Sequence, residues 1–202
     1  MKGLLLKDFY LIRNSLLIMF VLFVALGATL SALIAPWALI TLGTVMFEVM
    51  VTITINTDKN SGWCKVSGVL PISRKCVMQS KYILYLILSI VGITLGIIAC
   101  VVVSNIHNEW NNDSFLLFLS LSITMALISG SITLPCTLIF SEDKSTIGQM
   151  ISYPASAFIF SKLVLSAENK DLMFVIVILI SVVCYVASCI FSNIYVARKD
   201  IV

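Results

Sequence analysis

Glu48 is the one acidic residue deep inside a long apolar run, and it is the first candidate for chemistry in this 202-residue sequence. It follows Trp37 by eleven residues, about 16 Å along a helix rising ~1.5 Å per residue. That depth is near mid-bilayer, where a carboxylate costs at least ~2.5 kcal/mol on insertion scales. The group must therefore face a polar interior or carry a proton. It reads either as a proton or ion site or as a buried polar group used in packing. Lys162 is a candidate partner, but it lies about 6 Å from the far end of its own run, an axial mismatch of about 10 Å. Its ammonium group is expected to snorkel to the interface. A second candidate is the line Ser122, Ala126, Ser129, Thr133 and Thr137 on one helical face. Ser122, Ser129 and Thr133 could line a translocation path with Glu48. The same spacing serves close helix packing, which in lipid depends on small residues.

The rest of the chain offers little to an enzyme. Its one histidine, His107, lies between apolar runs, which removes histidine catalysis within the membrane. HExxH, Gly-x-Ser-x-Gly and GxxxxGK[ST] patterns are absent, so the chain does not hydrolyse nucleotide through a P-loop. Cys64, Cys76, Cys100, Cys136, Cys184 and Cys189 make no CxxC or Cys/His spacing and read as packing residues with free thiols. No metal and no cofactor are expected in this chain. Active transport would draw on a partner or an ion gradient.

Membrane helices must position these residues. Hydrophobic residues make up 60% of the chain and charged residues 11%, with a mean hydropathy of +1.09. A soluble domain carries about a quarter charged residues, so hydrocarbon is the expected solvent. The net charge of +3 forms no concentrated basic face, which argues against nucleic acid. Six spans are expected at about 15–35, 37–57, 82–104, 115–140, 147–166 and 172–196. Residues 2–14, KGLLLKDFYLIRN, suit an amphipathic helix at the membrane surface. The run after them exceeds the ~7–15 apolar residues of a secretion signal and reads as a retained helix. Pro36 and Trp37 turn the first two spans into a hairpin. The expected fold class is an all-α integral membrane protein, a single transmembrane domain over 1–202.

Charge fixes the orientation. Lys2, Lys7, Arg13, Lys59, Lys65, Arg74, Lys75, Lys81, Lys144, Arg198 and Lys199 fall on one side, against Lys170 and the end-of-span Lys162 on the other. The lysine-rich side is cytoplasmic, which places both termini there and requires an even number of spans. Gly92 and Gly96 form a GxxxG with Cys100 a further step along, and Gly27, Ser31 and Ala35 repeat the spacing. Both read as helix-packing faces. Pro135 and Pro154 are expected to bend their spans, each removing a backbone donor.

The loop at 58–81, DKNSGWCKVSGVLPISRKCVMQSK, is the longest polar stretch. Residues before a proline avoid the helical region, so Leu70-Pro71 predicts a short helix, a turn and an amphipathic lead-in. Read from its residues alone, it is either a solvated loop that fixes topology or a patch, with Trp63 and Val66, for another protein. Its SGW at Ser61–Trp63, LPISRK at Leu70–Lys75 and SKY at Ser80–Tyr82, together with MKGLLLKDFYLIRN and the six-span layout, resemble the membrane subunits of ABC-2 type transporters, in particular a small bacterial permease family.

The resemblance implies a permease subunit in a bacterial cell membrane. It would pair with a second, identical or related permease and with cytoplasmic ATPase subunits that carry the ATP and Mg. It implies ATPase contact at residues 2–14 and about 58–68, which here means Lys7, Asp8, Asp58, Lys59, Ser61, Gly62, Trp63 and Lys65. Export of peptides, drugs or lipids would follow, and a re-entrant segment at 160–171 is a further expectation. A gradient-driven carrier using Glu48 and a non-transporting accessory or immunity protein remain the alternatives.

Overall fold

Long apolar stretches with few helix breakers form six helices of 23 to 34 residues in a computed structural model that describes residues 2–30, 35–63, 74–107, 110–140, 142–165 and 170–198. They are α1 (Lys2–Leu30), α2 (Ala38–Asn60), α3 (Arg74–His107), α4 (Asn112–Ile139), α5 (Glu142–Leu165) and α6 (Lys170–Arg198). No strand occurs among the described residues. Five of these helices are long and apolar enough to cross a membrane; α5, with Pro154 inside it and a charged start, is the less apolar sixth.

Residues 2–14 are not a helix apart. They are the first part of α1, because no proline interrupts Lys2–Leu30 and Gly3 stands at its very start. At ~1.5 Å per residue, α1 is about 44 Å long against a hydrocarbon thickness of ~30 Å. Its first turns, with Lys7 and Asp8, therefore project past the apolar zone. Helix α3 likewise begins at Arg74, so the described part of the lead-in, RKCVMQSKY, is the start of that helix. The proposed re-entrant run at 160–171 is helical through 165, and 166–169 lie outside the described residues. The middle of the 58–81 loop, 64–73, lies outside them too.

Contacts between helix ends establish the alternation. The starts of α1 and α3 meet the end of α2 through Lys7, Lys81 and Asp58. The start of α3 meets the end of α6 where Tyr82 Oη lies 2.8 Å from Ser192 Oγ. At the opposite side, Trp37 packs edge-on against Trp110 with ring centroids 5.7 Å apart. The start of α1 and the end of α6 therefore lie on one side. Trp37 is buried there.

The core centres on α2, of whose most apolar window 61% is buried, against 11% for α1 and 17% for α6. Its contact with α3 is the most extensive between helices among the described residues. Gly92 and Gly96 explain why. An added Cβ would lie 2.8 Å from Gly43 O at Gly92, and 2.7 Å from Ile40 Cα at Gly96, so the two backbones touch. The GxxxG packs inside this chain, with Gly43 as its counterpart. Pro135 withholds the donor that Ser131 O would accept within α4. Ser188 Oγ of α6 donates to that carbonyl at 2.7 Å instead, which ties the weak point of α4 to its neighbour.

Candidate functional site

Two polar constellations interrupt the apolar core. The first lies at the charged side. Lys81 Nζ is 2.9 Å from Asp8 Oδ1 and 2.6 Å from Asp58 Oδ2. Lys7 Nζ is 2.6 Å from Asp58 Oδ1 and 3.3 Å from Asp8 Oδ1. Two lysines and two aspartates thus close a ring with no net charge. Asp8, Asp58 and Lys81 are buried, and Lys7 stands at the rim with its side chain 28% exposed. On its outward side Lys7 Nζ lies 4.3 Å from the centroid of the Trp63 ring, within cation–π range.

Local sequence builds this corner. Helix α2 ends at Ser61, whose N–H donates to Thr57 O, and at Gly62, whose φ of 70° is the left-handed conformation a glycine accepts freely. That turn brings Trp63 back over Lys7. Lys59 Nζ donates to Thr137 O and Phe140 O at the end of α4, where a cation complements unsatisfied carbonyls. Of the residues the resemblance assigned to ATPase contact, Ser61 is exposed and Gly62 and Trp63 are half-buried; Asp8 and Asp58 face inward. Lys65 lies outside the described residues. In the sequence Lys81 counts as a topology charge and as part of the SKY motif, not as a contact residue. Asp58 and Lys81 each stand next to an expected span, at 37–57 and 82–104, but that position names no partner.

The second constellation surrounds Glu48, which is 1% exposed. Ser89 Oγ of α3 lies 3.3 Å from its Oε1, and Ser129 Oγ of α4 lies 3.2 Å from its Oε2. The hydroxyls of Tyr85 of α3 and Tyr153 of α5 also lie beside the carboxyl group. Four helices thus converge on one acid, and its partners are hydroxyls. Lys162 is not among them; its Nζ sits 5.9 Å from the Phe158 ring. Tyr85, Ser89 and Tyr153 escaped the sequence reading because single hydroxyls in apolar runs carry no pattern.

The hydroxyl line of α4 is buried as a face, with Ser122, Ser129 and Thr133 all covered. Ser122 Oγ donates to Phe118 O of its own helix at 2.8 Å, whereas Ser129 Oγ reaches across to Glu48 of α2. Glu48→Leu is expected to be tolerated, with the unfolding free energy falling by less than about 2 kcal/mol. Ser89 and Ser129 can turn to Tyr85 O and Ala126 O, which already lie 2.9 Å and 3.4 Å from them. Glu48→Lys should prevent accumulation of folded protein, because a buried cation there has only neutral hydroxyls and carbonyls around it and no carboxylate to pair with. Detergent-solubilised yield and a monodisperse elution profile distinguish the two variants.

Among known protein families, residues 3–196 match the model described as ABC-2 family transporter protein. No curated protein and no solved structure matches the chain.

Proposed function

The chain belongs to the ABC-2 family of transporter proteins, and from that premise we propose that it is the permease subunit of an ATP-binding-cassette exporter. Separate cytoplasmic ATPase subunits would bind ATP and Mg and drive it, and a second permease, identical or related, would complete the path. The supporting observation is the corner at the lysine-rich side, where the ends of α1, α2 and α3 meet under the Ser61–Trp63 turn. A partner that moves this turn moves three helices at once. The ATPase contact is assigned to Ser61, Gly62, Trp63 and Lys65, with Lys7 and Lys59 behind them. Glu48, Ser122, Ser129 and Thr133 lie on the faces that would part to form the path. The apolar faces of α1 and α6 are left for lipid and the second permease in a bacterial cell membrane. Amphipathic peptides, drugs or lipids are the cargo class proposed.

Co-purification of an ATPase with the tagged chain tests this reading. An interface tryptophan anchor contributes about 2 kcal/mol or more, so Trp63→Ala should weaken the association roughly thirtyfold while membrane insertion is unchanged. Undiminished association would remove Trp63 from the contact. The four-helix convergence on Glu48 favours one second reading, a gradient-driven carrier. There Glu48→Gln would abolish transport and ATP depletion would not.

A further inference from the structure

We infer that Asp8, Asp58 and Lys81 are positioning residues: with Lys7 they lock the cytoplasmic ends of α1, α2 and α3 into one rigid node that passes motion of the Lys59–Trp63 segment along α3 to the outer side. This rests on the reading of the chain as an ATPase-driven permease. The side chains of Asp8, Lys81 and Asp58 are 2%, 4% and 9% exposed, too covered to reach a docked subunit. Every charge in the ring has an opposite charge within 3.3 Å, and the four cancel. Pulling one member away would strand a buried charge, which is far costlier than moving the ring as a unit.

The wiring on either side of the ring points the same way. Asp58 ties α2 to α1 and α3, and the very next residue, Lys59, holds the carbonyl end of α4. Four helix ends therefore hang on two consecutive residues just before the Gly62 turn. From Lys81, α3 runs to Ile106, about 38 Å at ~1.5 Å per residue. Midway it touches α2 backbone to backbone at Gly43, Gly92 and Gly96, which leaves no slack between the two helices. A displacement at the node thus reappears at the outer end of α3.

The permease and its co-purified ATPase, in phosphatidylethanolamine/phosphatidylglycerol nanodiscs, carry the test. A fluorophore is placed on Ile106→Cys, an outer-end site that is 70% exposed, in a background without other cysteines. ATP with vanadate should shift its emission. In Asp58→Asn the shift should fall about fivefold or more, while ATPase association and ATP hydrolysis stay within about twofold. The fully reversed ring, Lys7→Asp, Asp8→Lys, Asp58→Lys and Lys81→Asp, should restore the shift. Loss of ATPase association in Asp58→Asn, as in Trp63→Ala, would make Asp58 a docking residue and overturn the inference. An undiminished shift would do the same. Where Asp58→Asn does not accumulate, the reversed ring decides, and absence of a shift there counts against the node. Failure of the unmodified chain to hold any ATPase would instead overturn the permease reading, before any ring variant is made.

Discussion

Lys81→Met should destabilise the folded chain by about 3–5 kcal/mol, the range for removing one partner from a buried ion pair. The reason lies in what remains. Asp8 and Asp58 both lie within 3 Å of Lys81 Nζ, so the variant leaves two buried carboxylates sharing Lys7. That lysine is partly exposed and already bonded to both. Replacing all four charges with neutral groups of similar shape, as Lys7→Met, Asp8→Asn, Asp58→Asn and Lys81→Met together, should cost far less, because no charge is stranded. Equilibrium unfolding of the purified chain in mixed detergent micelles with rising dodecyl sulfate gives both values. A single variant no worse than the fourfold one would show that the ring is not closed in the folded protein. The same comparison separates stability from coupling. The neutral ring should fold well and still transmit poorly, because hydrogen bonds between amides hold helix ends less tightly than ion pairs.

Much of the architecture was legible from composition because a bilayer constrains it so severely. An apolar run of about 20 residues has few alternatives to a spanning helix, and Lys/Arg asymmetry then sets direction. The contacts of Lys7 with Asp58 and of Trp37 with Trp110 agree with that layout. Helix α1 runs unbroken through residue 14 for a physical reason. A change from charged to apolar side chains alters the solvent a helix prefers but does not stop the helix, and no proline or interior glycine stands there. The charge ring was invisible for a different reason. Its members are separated by 51 and 73 residues in the pairs Lys7–Asp58 and Asp8–Lys81, so no periodicity links them. Each alone resembles an ordinary solvated charge. Glu48 stood out because depth alone makes a carboxylate anomalous, whereas its hydroxyl partners are commonplace in membrane helices. The GxxxG was found, but Gly43 was not, since a lone glycine opposite a motif is identified only by the helix that lands on it.

Gly96→Ala should cost about 2 kcal/mol or more, at the upper end of ordinary overpacking. The new methyl carbon would lie 2.7 Å from Ile40 Cα, 3.0 Å from Leu39 O and 3.1 Å from Ile40 O. All three are backbone atoms of α2, which have no rotamer to turn away, so the helices themselves must separate. Separation would loosen the lower contact at Gly92 and Gly43 as well, and with it the route from Lys81 to the outer end of α3. Gly27→Ala is the matched comparison, because its Cβ would meet only Leu39 Cδ2 at 3.8 Å, an ordinary contact. Within this chain it should change stability by no more than about 0.5 kcal/mol. The same dodecyl sulfate titration reads both substitutions. Equal losses would contradict internal packing as the role of the α3 glycines. A loss at Gly27 that appears only in the assembled transporter would place the small face of α1 against the second permease.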